Sequence, residues 1–152
     1  MKRILNWLGI VSFALLMGFT AVSCNKDDNG PEKEYSLTGK WQTIKYYYEE
    51  YLNGELLEEG EDVLPEDEKL IYEFQEGGKG KIYIPELQGG SLPMTWERDG
   101  KYLEISIMGE GMGSLEIVKL NDTDLELMFT EEYSEGGYSY KYSETAVMKK
   151  IQ

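Results

Sequence analysis

Two features of composition limit the chemistry open to this 152-residue chain: it has no histidine, and its only cysteine is Cys24. A serine or cysteine nucleophile with an imidazole base is therefore excluded, and so is a zinc site built on imidazole. One thiol cannot form an internal disulfide. Carboxylates remain, with Asp and Glu numbering 29 against 15 Lys and Arg for a net charge of -14. Glycoside cleavage needs two of them facing each other across a cleft, and no spacing in the chain argues for such a pair. The chain is read as non-enzymatic, with no catalytic residue, no metal and no cofactor.

The densest carboxylate run, from Glu49 to Lys69, includes Glu55, Glu58, Glu59, Glu61 and Asp62. Oxygen ligands for calcium could gather there, but the run does not match an EF-hand loop. A solvated loop held open by its own charge is the simpler reading. Tyrosine is the other abundant polar type, clustered at Tyr46, Tyr47, Tyr48 and Tyr51 and again at Tyr133, Tyr138, Tyr140 and Tyr142. Exposed, these rings would suit glycan stacking or protein recognition. Half-buried, they are ordinary strand formers. The parity of Trp41 to Tyr48 leaves their direction open.

From Tyr35 onward, apolar residues alternate instead of recurring at helical spacing, and turn residues fall at short intervals. Leu70, Tyr72 and Phe74 share one face, Gly77-Gly78 turns the chain, and Gly80, Ile82 and Ile84 continue. Met94 and Trp96 precede Arg98-Asp99-Gly100, followed by Leu103, Ile105 and Ile107. Leu115 and Ile117 lead into Asn121-Asp122-Thr123-Asp124, after which Leu125, Leu127 and Phe129 alternate. Gly136-Gly137 turns the chain into Tyr138, Tyr140 and Tyr142, and Ala146 and Met148 end the last strand. With a first strand around Leu37 to Tyr48, the pattern predicts an all-β antiparallel meander of about eight strands, closing as an up-and-down barrel. A two-sheet sandwich is the alternative. No segment has a convincing helical period, although Leu52 to Asp67 could hold a turn of helix.

Ahead of that domain, Lys2 and Arg3 precede an apolar run from Ile4 to Phe19, the pattern of an export signal over 1–23. The run is also of borderline length for a membrane span. Ala21-Val22-Ser23-Cys24 decides between them, since it resembles the lipobox of bacterial lipoproteins. That resemblance implies cleavage before Cys24, acylation of its thiol, and anchoring to the outer membrane. Acyl chains contribute roughly 0.8 kcal/mol per buried methylene, so several of them tether a domain durably without inserting it. Residues 24–34 would be the lipidated cysteine and a polar linker broken by Gly30 and Pro31. Within it, Asn25-Lys26-Asp27-Asp28 resembles the surface-export signal of lipoproteins from certain gut Gram-negative bacteria. Loss of Lys2 and Arg3 takes the charge from -14 to -16 for the exported part, which disfavours nucleic acid as a partner.

The domain over 35–152 carries a further resemblance. Leu37-Thr38-Gly39-Lys40-Trp41-Gln42, followed by the hairpins at Tyr72 to Gly80, Met94 to Leu103 and Ile117 to Leu125, is similar to lipocalins and to lipocalin-like lipoproteins of those gut bacteria. The resemblance implies that Trp41 plugs the closed end of a barrel. It implies too that a small apolar or amphipathic ligand could sit among Tyr72, Phe74, Trp96, Leu103, Ile105, Leu127 and Phe129. A barrel of about eight strands can equally be filled by its own side chains. In that case the acidic run and the tyrosines would contact a protein or glycan partner.

Overall fold

A computed structural model describes residues 35–87 and 89–151. The export signal, Cys24 and the linker lie outside the described residues. All nine strands belong to one antiparallel sheet: β1 Gly39–Leu52, β2 Glu55–Val63, β3 Ile71–Gln75, β4 Lys79–Tyr83, β5 Ser91–Asp99, β6 Tyr102–Ile107, β7 Glu110–Leu120, β8 Asp124–Glu135 and β9 Tyr138–Lys150. Neighbours from β3 to β9 follow chain order, and β9 returns to pair with β1. The result is the up-and-down barrel of eight strands expected from the alternation, consistent with the lipocalin-like barrel that the resemblance implies, with β2 as a ninth strand outside the closed ring.

β1 is the seam. One of its edges pairs with β9 from Trp41 to Leu52. The other pairs with β3 over Gly39–Gln42 and then with β2 over Lys45–Leu52. Between those partners the chain swings out over 64–70, a loop carrying the 3-10 turn Glu66–Glu68, and it is stitched back by Leu64 N–H to Ile44 O (3.0 Å) and Thr43 N–H to Leu70 O (2.9 Å). On the β9 side the register skips Ile44, since Thr43 faces Met148 and Lys45 faces Val147. This bulge reverses the inward parity of the strand. Trp41 and Thr43 are buried below it, and Tyr46 turns inward above it.

The run from Leu52 to Asp67 is thus mostly strand, and the turn of helix expected within it is confined to its end, where the 3-10 turn Glu66–Glu68 begins. Asn53 and Gly54 both take positive φ (52° and 83°), which the tight turn between β1 and β2 requires. β2 shows no apolar period because neither of its faces is buried; Gly60 alone is not fully exposed. The ring of Tyr48 lies over Gly60, its cross-strand partner, where a Cβ would collide with it. The first strand likewise runs four residues past Tyr48, to Leu52.

The core is a continuous cluster whose buried members run from Leu37 to Met148. At one end the segment before β1 crosses the barrel. Leu37 is 2% exposed, its carbonyl accepts the Trp41 indole N–H (2.7 Å), and Arg98 donates to Tyr35 O (3.1 Å). Phe74 packs edge-on against Trp96 at 5.6 Å, and the Trp96 indole donates to Lys79 O (2.8 Å). The turn at Asn121 to Asp124 closes the same end, where Lys149 pairs with Asp124. At the far end the wall is uneven. The β1–β2 and β8–β9 hairpins rise as a four-stranded flap ordered β2-β1-β9-β8, whereas β3 and β4 are only five residues long.

Because the core lies within the barrel, residues 25–152 hold every side chain needed to fold. In that piece Trp41→Ala is expected to cost about 3–5 kcal/mol, the usual loss for a fully buried large aromatic. Urea unfolding followed by circular dichroism checks the value, and a loss below about 1 kcal/mol would deny Trp41 its place in the core.

Candidate functional site

At the open end, inside the base of the flap, the side chains leave a cavity of about 290 Å³. Its floor is Tyr72, Ile105, Leu115, Leu127 and Met148, all buried core residues from β3, β6, β7, β8 and β9. Tyr46, Met112, Phe129, Glu144 and Ala146 form its rim. The space arises from unequal strand lengths: β1, β8 and β9 continue upward, and short β3 and β4 bring no opposing side chains to fill it.

Of the residues proposed from sequence to line the barrel, Tyr72, Ile105, Leu127 and Phe129 meet at this cavity. Phe74, Leu103 and Trp96 do not. Phe74 and Leu103 are fully buried elsewhere in the core, and Trp96 packs half-buried against Phe74. They share the inward face of their strands but sit lower along the barrel, and alternation reports face without height. Trp41 is 0% exposed, with the Lys150 ammonium 5.1 Å from its ring centroid.

Sequence reasoning missed Tyr46, Met112, Leu115, Glu144, Ala146 and Met148 as cavity residues. Leu115, Ala146 and Met148 carried the alternation signal. Tyr46 was hidden by the bulge at Ile44. Glu144 carried none, because one carboxylate among 29 acidic residues looks the same whether it faces in or out.

Glu144 sits between Tyr142 and Ala146 on β9, opposite Phe129 of β8 and Tyr48 of β1. Its Oε2 accepts the Tyr142 hydroxyl at 2.7 Å. Burial, that hydrogen bond and the carboxylate's charge together push the Tyr142 hydroxyl up to about 12. Tyr46 and Tyr72 are likewise raised, first by burial, and Glu144 adds repulsion against either phenolate. All three hydroxyls therefore stay protonated at neutral pH, and Glu144 is the only acidic or basic side chain of the Asp, Glu, Lys or Arg type in the lining. Among the described residues no Lys or Arg forms an ion pair with it.

Two other surfaces separate from the cavity. The outer face of the flap holds a shallow polar groove between Tyr47, Glu49 and Glu61 on one side and Val118 and Glu126 on the other, floored by Ser143 and Thr145. Nearer the tip, Tyr133 and Tyr140 stack at 4.9 Å across β8 and β9, with Tyr133 53% exposed. By strand register six of the eight tyrosines noted in the sequence, Tyr46, Tyr48, Tyr133, Tyr138, Tyr140 and Tyr142, share the face of Glu144, and Tyr47 and Tyr51 lie on the opposite one. The acidic run becomes β2, and among the described residues no group of three or more His, Cys, Asp or Glu is placed to hold a metal ion.

No family model, no curated protein and no solved structure matches this chain.

The electrostatics of the rim can be measured. Glu144→Gln removes both the charge and the strong acceptor that oppose the Tyr142 phenolate, so the Tyr142 pKa should fall from about 12 toward the ordinary tyrosine value. Ring-carbon NMR of labelled tyrosine, assigned with Tyr142→Phe, reads the shift. An unchanged pKa would mean that the two side chains are not in contact.

Proposed function

We propose that this chain is a non-enzymatic lipoprotein, anchored to the outer membrane through Cys24 and exposed at the cell surface, whose barrel takes up a small apolar or amphipathic molecule. The cavity carries the reading. It is concave, its floor is built from the buried core, and its few polar groups converge at one side, as expected of a small-molecule site. Its 290 Å³ is about ten water volumes at roughly 30 Å³ each, which sets the guest at roughly ten to fifteen non-hydrogen atoms. The anchor rests on the lipobox-like Ala21-Val22-Ser23-Cys24 and on the absence of a second thiol.

A second reading has its own observation. Among the described residues the outward edges of β2 and of the upper part of β8 lack a strand partner, and the Tyr133–Tyr140 pair stands beside one of them. A protein or glycan partner could use that flap with the cavity left empty. No nucleic acid is expected at so acidic a surface.

Titration calorimetry of residues 25–152 with n-octanol separates the two. One binding site is expected, and Ala146→Phe, which fills the cavity from its rim, should weaken it at least about tenfold, or 1.4 kcal/mol. Octanol binding that survives Ala146→Phe would discard the cavity. For the anchor, Cys24→Ser should abolish labelling of the full chain by a radioactive fatty acid; persistent labelling would refute it.

A further inference from the structure

We infer that the molecule accepted by the cavity is an amphipathic cation, an amine or quaternary ammonium on a short apolar body, held by the Glu144 carboxylate and the rings of Tyr46, Tyr72 and Phe129. This rests on the cavity reading above and specifies its ligand.

The charge balance of the lining points to this class. Glu144 stands half-buried at the rim of a largely apolar lining, flanked by Ala146 on its own strand and by Phe129 across from it. A carboxylate brought among apolar groups without a cationic partner is unfavourable. Its two oxygens offer about four acceptor positions, and among the described residues the only hydrogen bond to it is the one donated by Tyr142. That contact fixes the carboxylate's direction and leaves its second oxygen available. Lys and Arg are absent from the lining, so an anionic head would meet repulsion with nothing to offset it.

The rings add a second attraction of the same sign. Tyr46, Tyr72 and Phe129 line the same cavity as Glu144, and an aromatic face within about 6 Å attracts a cation. Their hydroxyls, where present, stay neutral for the reasons given above. A neutral guest would satisfy the apolar floor yet leave Glu144 uncompensated. A cation satisfies both. The chain's net charge of -14 acts in the same direction by concentrating cations near the surface.

Three probes with one apolar body test the assignment: n-octylamine, n-octanol and n-octanoate, titrated calorimetrically into residues 25–152 at pH 7 and low ionic strength. The amine is protonated there, with a pKa near that of lysine at about 10.4. Octylamine should bind at least about tenfold more tightly than octanol, and octanoate should bind weakest. In Glu144→Gln the octylamine-to-octanol ratio should fall to about one. Glu126→Gln, which removes one charge from the outer groove, should keep the wild-type ratio. Equal affinities in the wild type, a ratio that survives Glu144→Gln, or a ratio lost equally in Glu126→Gln would overturn the cationic assignment and leave the cavity standing. If Glu144→Gln does not fold, the order of the three probes on the wild type decides. Failure of all three to bind would remove the cavity reading together with this one.

Discussion

Everything in this molecule depends on the pairing of β9 with β1. A meander of strands has two open edges until its first and last members meet, and open edges invite pairing with other chains. Here the closing contact is long, from Trp41 to Leu52 on β1, and it is accomplished by the strand that also has to serve β3 and β2. The skipped residue, Ile44, lets β1 do both. Below it the inward residues are Trp41 and Thr43, which complete the core, and above it Tyr46 turns toward the cavity. Without that shift, Tyr47 and Glu49 would face inward and Tyr46 would face solvent.

The cavity is a consequence of the same geometry. Long strands on one side of the ring and five-residue strands on the other leave a volume that is walled but not filled. The lower part of the barrel shows the contrast, since Leu37, Trp41, Phe74 and Leu103 fill that end to below 3% exposure each. One end is a packed core and the other is a cup, with Tyr72, Ile105 and Leu127 belonging to both.

Most of the fold was legible because its signals are local. Gly77-Gly78, Asp99-Gly100, Asn121 to Asp124 and Gly136-Gly137 each turn the chain where the alternation breaks, and the strands between them bury one face. β2 escaped because alternation records burial, and both faces of β2 meet solvent; the pair Asn53-Gly54 was the remaining sign of its hairpin. The site was legible only in part. Alternation selected Tyr72, Ile105, Leu127 and Phe129 correctly as inward, along with Phe74, Leu103 and Trp96, but position along the barrel depends on sheet stagger, which no local pattern encodes. The inward turn of Tyr46 depends on a register shift between strands far apart in sequence, and Glu144 gains its meaning only from the apolar neighbours that β8 and β1 bring to it.

The path by which the chain joins the barrel also sets a direction in space. Tyr35 is bound by Arg98 at the packed end, and Leu37 lies beneath Trp41, so the backbone arrives at the end opposite the cup. Any pull applied through the segment ahead of Tyr35 would therefore be borne by the sealed end, at Leu37 and Arg98, and would leave the cup undisturbed.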